Sequence, residues 1–178
     1  MIDQSITIRR AVAEDAKAIA EVHVASWRTT YPGIVAQAYI DGLSVAERAA
    51  GWDRRLRNAT TARPDILVAE SSVGIVGFVA GGPIRAPEVG FDAELHAIYL
   101  RQDAQRVGVG RRLAYGWARI ALERGFAAAI VRVLARNPAC LFYERLGARR
   151  VRDDVLTIAD AAYPEIWYGW DDLRALAT

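Results

Sequence analysis

The sequence predicts an α+β fold in which a mixed sheet of six or seven strands is flanked by helices on both faces. The chain has 178 residues, of which 53% are hydrophobic and 25% charged, so it suits one globular domain spanning residues 1–178. Segments of helical and strand periodicity follow one another in the order β-α-α-β-β-β-α-β-α-β-β. The sequence contains no internal repeat and no linker that would divide this domain.

The N-terminal half contains one strand, three helices and a hairpin. Alternating β-branched residues predict the first strand, and apolar residues at helical spacing predict the first helix, which Pro32 and Gly33 end. Ser44 and Glu47 form a capping box that opens the third helix. The predicted elements are a strand at 5–9, helices at about 14–30 and 35–43, the capped helix, and hairpin strands at 66–70 and 75–80. A loop rich in proline and glycine is expected at 81–90.

The C-terminal half alternates strands and helices before a final pair of strands. A glycine follows each predicted helix, Gly125 after the first and Gly147 after the second, as is typical of helix ends. Asn137 followed by Pro138 is a typical helix start. The predicted elements are strands at 94–100 and 127–134, helices at 108–124 and 137–147, and strands at 149–156 and 165–171.

The composition excludes several classes of protein. The net charge of +2 is not that of a polycation built for nucleic acid. Cys140 is the only cysteine, which excludes a disulfide framework, and the two histidines have no metal-ligand spacing. No apolar run approaches about 18 residues, and the N-terminus has no signal-peptide pattern. We therefore expect a cytoplasmic protein that holds no metal and binds neither membrane nor nucleic acid.

The strongest local motif lies between a predicted strand and a predicted helix. It reads Gln105, Arg106, Val107, Gly108, Val109 and Gly110, with Arg111 and Arg112 directly after it. Glycines let a backbone turn bring its N–H groups close to an anion, and a helix N-terminus adds its dipole. A Walker loop needs Lys and Ser/Thr after the glycines, and a dinucleotide fingerprint needs glycine where Leu113 stands. The motif indicates a phosphate site, although the same layout is also a good helix start.

Two segments, each in the expected structural context, make the chain resemble the GNAT superfamily of N-acetyltransferases. One is the glycine motif after the strand at 95–100, and the other runs from Asn137-Pro138-Ala139 through 142–147. The stretch 24–31 is similar to a bacterial subgroup that acts on small molecules. The resemblance covers nearly the whole chain. It implies a mostly antiparallel GNAT-like sheet, acetyl-CoA as cosubstrate and transfer of acetyl to an amine.

The resemblance also implies where acetyl-CoA binds. The backbone amides of the glycine motif and of the two arginines after it would hold the pyrophosphate. The strand residues Ile98, Tyr99 and Leu100 would pair with the pantetheine arm as an added strand does, and the next strand would splay away. Asn137 would contact the pantetheine, and Tyr143 would lie near the sulfur. The spacing from Asn137 to Tyr143 is one residue shorter than a frequent form of this motif.

The chemistry needs a proton donor for the leaving thiolate and a proton acceptor for the amine. Tyr143 is the candidate donor, with a half-buried packing role as the alternative. Glu94 and His96 precede the strand that holds the cofactor and lie on one face of it, so either is a candidate base, with Glu94 favoured. Backbone N–H groups on the splayed strand would stabilise the oxyanion.

The acceptor side is less defined by the sequence. Trp27 and Tyr31 share one face of the first helix and are candidates for the substrate wall, with a core stripe as the alternative. Because Trp27 continues an apolar stripe and Tyr31 lies beside the Pro32 break, we expect Trp27 in the core and Tyr31 at the pocket.

These residues favour an acyltransferase that acetylates the primary amine of a small metabolite by direct attack in a ternary complex. One alternative acceptor is an N-terminus or side chain of a protein or peptide. A second alternative, of another class, is a CoA-binding sensor without turnover. A homodimer is also expected to be possible, with the aromatic last strand contributing Ile166, Trp167, Tyr168 and Trp170.

Overall fold

The computed structural model describes residues 6–58, 65–88 and 90–177, which form a seven-stranded sheet with helices on both faces. The strands are β1 (Thr7–Arg10), β2 (Asp65–Ser71), β3 (Gly74–Glu88), β4 (Phe91–Leu100), β5 (Ala129–Leu134), β6 (Arg149–Ile158) and β7 (Ala161–Trp170). The helices are α1 (Ala16–Thr30), α2 (Gln37–Asp41), α3 (Val45–Arg57), α4 (Val109–Glu123) and α5 (Ala139–Arg145). Ser5, where the first strand was expected to begin, lies outside the described residues.

The strands are ordered β1-β2-β3-β4-β5-β7-β6 across the sheet. Each neighbouring pair is antiparallel except β4 and β5, which run parallel. The prediction of a mixed, mostly antiparallel α+β sheet is therefore confirmed. Its single parallel pair interrupts an otherwise continuous antiparallel arrangement in the middle of the sheet.

Helices cover the two faces of the sheet with separate apolar clusters. On one face α4 buries Leu113 and Trp117 against the strands. On the other face α1 and α3 pack Ile19 and Trp52 against Phe78 of β3. Burying side chains of this size contributes about 1.5–3 kcal/mol each, so these clusters fix the helices on the sheet.

The prediction of a loop at 81–90 was wrong, because β3 continues through this segment to Glu88. Gly81 is needed there, since an added Cβ would lie 2.4 Å from the Trp117 ring of α4. Pro83 is tolerated because the pairing of β2 with β3 ends at Gly81, opposite Asp65. No described residue pairs with β3 beyond that point on the β2 side, so Pro83 removes no hydrogen bond of the described sheet there.

The aromatic residues of the last strand lie inside the sheet and not on an exposed edge. β7 runs between β5 and β6. The four residues offered for a dimer contact are all buried in the core: Ile166, Trp167, Tyr168 and Trp170. That expected route to a homodimer is therefore wrong.

Candidate active site

A gap between β4 and β5 forms the centre of the site. The two strands pair only near their starts, where Ala93–Leu95 faces Ala129–Val131. Beyond this point β4 runs on to Leu100 and β5 to Leu134 as the strands diverge. β5 stays paired with β7 along its length, so the divergence leaves an open edge on β4. That edge carries the predicted residues Ile98, Tyr99 and Leu100.

A left-handed turn precedes α4 beside this gap. Gly108 has φ of +88°, and Arg106 two residues earlier has φ of +62°. Val107 between them is 68% exposed, so the turn faces solvent. α4 begins at Val109, and the first N–H groups of a helix have no partner within the helix. These amides form the kind of concave donor surface that suits phosphate oxygens.

Close packing joins this turn to β4 and α5. An added Cβ on Gly110 would lie 3.3 Å from both the Leu100 side chain and the Phe142 ring, so glycine lets α4 approach both elements. Gln105 donates from Nε2 to the Leu100 carbonyl across 3.4 Å. The start of α4 is thus held against the free end of β4.

The side chains of the two arginines after the turn have partners within the protein. Arg112 donates from Nη2 to the Ile6 carbonyl across 2.7 Å. The guanidinium of Arg111 lies over the Tyr115 ring, 5.6 Å from its centroid. The backbone N–H of Arg112 donates to the Gly108 carbonyl across 3.1 Å, so the amide expected to hold phosphate at Arg112 is already used within α4.

A β-bulge on β4 carries His96. Ala97 lies opposite Ala80 and Leu95 lies opposite Gly81, so His96 is the extra residue on β4. Burial, followed by the charge of Arg85, lowers the pKa of His96 to about 4. Its Nε2 is buried and has no hydrogen-bond partner among the described residues. At neutral pH the ring is uncharged and one nitrogen remains without a partner.

Glu94 lies in a buried ion pair. Arg85 donates to Glu94 Oε2 from its backbone N–H at 3.1 Å and from Nε at 3.0 Å, and Arg132 donates from Nε to Oε1 at 3.1 Å. Burial opposes ionisation, but the bonds and charge of Arg85 outweigh it and hold the pKa of Glu94 below its ordinary value. A fully buried carboxylate held by two guanidiniums cannot reach an amine, so the preference for Glu94 as base is corrected.

Tyr143 is buried on α5 near the gap. Its ring packs edge-on against Phe142 at 5.2 Å and against Trp170 at 6.2 Å between centroids. Burial raises the pKa of Tyr143 above its ordinary value, with contributions from Tyr99 and Cys140. Within the described part of the chain its hydroxyl has no hydrogen-bond partner. The hydroxyl therefore stays protonated at neutral pH and keeps its proton free to donate.

An aromatic group closes the other side of the gap. Trp27 donates from Nε1 to the Tyr99 hydroxyl across 3.1 Å, and its ring stacks on Tyr31 at 4.2 Å. Asn137 donates from Nδ2 to the Tyr31 hydroxyl across 3.1 Å. Trp27 was expected to be the more buried of the two, but Tyr31 is buried at 7% exposure and Trp27 is half-buried. Tyr31 lies deeper because it ends α1 and turns toward Asn137 beyond β5.

Sequence reasoning missed the arginines of this site. Arg85 lies in the segment expected as a loop, and Arg132 lies in a strand expected to be uniformly apolar. The one signal that could have found Arg132 is a charged residue in the middle of a buried strand, which requires a partner. Glu94 is that partner, and its own position in an apolar strand is the matching signal.

Among the described residues, no group of three or more His, Cys, Asp or Glu side chains could hold a metal ion. In the same part of the chain, no helix is long and apolar enough to cross a membrane.

Comparison with known proteins decides the family. A sequence model of the acetyltransferase (GNAT) family matches residues 20–148. The chain belongs to the GNAT family. It is 40% identical over 174 residues to an uncharacterized N-acetyltransferase, YuaI, of Bacillus subtilis (strain 168), and the match covers 97% of each chain.

Solved structures of other family members share the GNAT fold. The PaiA N-acetyltransferase from Thermoplasma acidophilum, in complex with coenzyme A, has a TM-score of 0.71 at 23% identity, covering 91% of this chain and 98% of that one. YncA, a putative acetyltransferase from Salmonella typhimurium with acetyl-CoA, has a TM-score of 0.71 at 19% identity, covering 96% and 95%. This GNAT protein is therefore an N-acetyltransferase that uses acetyl-CoA.

The residues around the gap fit that cosubstrate. The open edge of β4 is an extended backbone of the kind that an amide-bearing arm can pair with. The turn at Gly108 presents helix N-terminal amides on the same side as Leu100, which is where a phosphate attached to such an arm would arrive. Backbone donors of these two kinds suit the polar groups of acetyl-CoA.

Proposed function

We propose that this enzyme transfers acetyl directly to the primary amine of a small metabolite while acetyl-CoA and acceptor are bound together. The observation that carries the proposal is the two-sided gap between β4 and β5. One side adjoins the amide turn at Gly108, and the other adjoins the aromatic group around Trp27. Two substrates entering from opposite sides meet at the gap, so no acetylated enzyme residue is required.

The binding of acetyl-CoA divides among three parts of the chain. Backbone amides from Val107 to Arg111 bind the pyrophosphate, since that of Arg112 donates to Gly108, and the arm pairs with the free edge at Ile98–Leu100. Gly110 lets the start of α4 pack closely against Leu100 and Phe142, and Gly108 allows the positive φ of the turn. The bound arm then points its thioester toward the bulge at His96 and toward Tyr143.

The transfer forms one bond and breaks one. The uncharged amine attacks the thioester carbonyl, a C–N bond forms, and the C–S bond breaks as the oxyanion collapses. Backbone N–H groups on the free edge of β4 stabilise the oxyanion. The nitrogen loses one proton and the sulfur gains one, so the reaction needs no outside oxidant or reductant.

Tyr143 supplies the proton that the sulfur gains. Tyr143 keeps its hydroxyl proton at neutral pH and donates it to the thiolate as the C–S bond breaks. The amine loses its proton to water, because His96 Nε2 is buried and, with a pKa of about 4, would not hold a proton at neutral pH. Glu94 has no part in this scheme because Arg85 and Arg132 already hold it.

An assay of acetyl-CoA consumption over a panel of amines tests the proposal. The panel contains polyamines, amino acids, aminoglycosides and short peptides, and mass spectrometry identifies each acetylated product. We expect turnover with at least one small amine and none of comparable rate with peptides. Acetylation of peptides alone would move the acceptor to proteins. Tight CoA binding with no turnover across the panel would favour a sensor.

A further inference from the structure

A cavity separate from the β4–β5 gap lies between α1, α2 and α3. Its volume is about 510 Å³, and its inner wall contains His23 and Trp52. The His23 ring stacks on Tyr99 of β4 with 5.0 Å between centroids. The cavity therefore adjoins the strand that borders the gap, on the face of the sheet opposite α4.

Three arginines without a carboxylate partner line this cavity, and one of them, Arg48, donates to the Tyr39 hydroxyl across 3.2 Å. Arg48, Arg54 and Arg55 come from one side of α3, and Glu47 is the single carboxylate among the lining residues. In the described part of the chain no carboxylate lies within 4.0 Å of these three guanidiniums. Arg57 on the same helix shows the contrast, since it is paired with Asp53 at 2.8 Å.

The arginines repel one another, and one of them lies against the aromatic wall of the cavity. Burial, then Arg85, Arg48 and Arg54, lowers the pKa of Arg55, so its charged form is disfavoured where it stands. Its guanidinium lies over the Trp52 ring at 4.9 Å, which holds it at the cavity and leaves its N–H edge without an acidic partner. An anion entering the cavity would relieve this repulsion.

His23 adds a hydrogen-bond donor without adding charge. Burial, then Arg48 and Arg55, lowers its pKa to about 3, so the ring is neutral at physiological pH. Its Nδ1 accepts from Trp52 Nε1 across 3.4 Å. A neutral ring that accepts at Nδ1 carries its proton on Nε2, where it can donate to an anion.

We propose that this cavity binds the acidic group of the acceptor, so that the substrate is an amine bearing a carboxylate or phosphoryl group. This inference rests on the proposed function, because it places the acceptor on the α1 and α3 side of β4. The link to the gap is His23, which lines the cavity and stacks on Tyr99 of β4 with 5.0 Å between centroids. An acid held by α3 would direct its amine toward β4, and a neutral or polycationic amine would be disfavoured.

Binding of inorganic phosphate tests the anion site without turnover. Calorimetry is done with CoA at saturation, so that phosphate cannot occupy the turn at Gly108. The variant Arg54→Gln/Arg55→Gln is compared with wild type and with Arg57→Gln, which removes one charge from the same helix outside the cavity. We expect about tenfold or greater loss of phosphate affinity in the double variant and none in Arg57→Gln. No phosphate binding by wild type, or equal binding by all three proteins, would overturn the site.

Matched acceptors test its role in catalysis. Leucine, 4-aminobutanoate and 6-aminohexanoate are each compared with the corresponding amide, and leucine with its phosphonate analogue. We expect kcat/KM to favour the acids of at least one pair by about tenfold or more, and the double variant to lose that preference. Equal rates with acids and amides would overturn the substrate class. If phosphate binds and other amines of the panel are acetylated, but none of these acids or amides is, the role of the cavity in acceptor binding is overturned. If phosphate binds and no amine of any kind is acetylated, it is the proposed function that fails.

Discussion

The side-chain amide of Asn137 donates to the Tyr31 hydroxyl across 3.1 Å, and this bond links the two sides of the gap. Tyr31 lies at the end of α1, and Asn137 lies between β5 and α5. The Asn137 Oδ1 also accepts from the Ala139 N–H at 2.9 Å, where it begins α5. Both residues are buried, so the bond ties the end of α1 to the start of the helix that carries Tyr143 away from solvent.

Loss of the Asn137 side chain should destabilise the protein measurably. Asn137→Ala removes a helix cap and leaves the Tyr31 hydroxyl without its donor, which should cost about 2 kcal/mol of unfolding free energy. Tyr31→Phe should cost about 1 kcal/mol or more, because it removes the hydroxyl that pairs with both Asn137 and Tyr99. Urea denaturation of both variants and of the double variant gives the coupling free energy between Asn137 and Tyr31, which we expect to be about 0.5 kcal/mol or more. Additive losses would mean that the bond contributes nothing.

Tyr143→Phe tests proton donation to the leaving sulfur. The variant should lower kcat about 100-fold, because a thiolate leaves less readily without a positioned acid. Its acetyl-CoA affinity should stay close to that of wild type, since the lost hydroxyl has no partner in the described protein. Tyr168→Phe is the matched control, because its hydroxyl donates to Glu144 at 2.8 Å. Equal kcat values for both variants would assign Tyr143 to packing.

Two glycines at opposite ends of α4 separate binding from stability. Gly108 and Gly125 both have φ of +88°, and an added Cβ at either meets nothing within 4 Å. Valine at either position should therefore cost about 1–2 kcal/mol of backbone strain. Only Gly108→Val should weaken acetyl-CoA binding, because only that turn presents amides to phosphate. Calorimetric titration of both folded variants checks this. Equal acetyl-CoA affinities would show that the pyrophosphate does not bind at this turn.

Local signals were enough to predict the helices of this fold. α1 ends at Thr30 as the Pro32-Gly33 pair indicated, and Ser44 caps α3 by accepting from the Glu47 N–H at 3.3 Å. These features depend on residues within one turn of each other, so they are readable from a single sequence.

Contacts between distant segments could not be predicted in the same way. The ion pair of Glu94 depends on Arg132, which lies on β5, a strand that pairs with β4 over only a short stretch. The burial of Tyr31 depends on Asn137, which is far away in the sequence. Periodicity assigned these residues to a face but gave no partner, so neither the ion pair of Glu94 nor the hydrogen bond that buries Tyr31 was predicted.

The two histidines should make stability depend on pH. The pKa is lowered from 6.5 to about 3 for His23 and to about 4 for His96, in both cases mainly by burial. As the pH falls below 6.5 the unfolded chain takes up these protons and the folded chain does not. Stability from the neutral rings is therefore complete above pH 6.5 and declines toward pH 4, at about 1 kcal/mol per pH unit for each histidine.

His23→Gln should remove the contribution of His23 to the pH dependence of stability. Glutamine keeps a hydrogen-bond acceptor for the Trp52 indole but does not titrate, so the loss of stability between pH 6.5 and 5 should be smaller than in wild type. Most carboxylates stay ionised in that window, which leaves the histidines as the main groups that differ. Urea denaturation at several pH values measures the slope for wild type, His23→Gln and His96→Gln. A wild-type slope in His23→Gln would show that His23 is charged in the folded protein, because only a ring that takes up its proton in both states leaves stability independent of its titration.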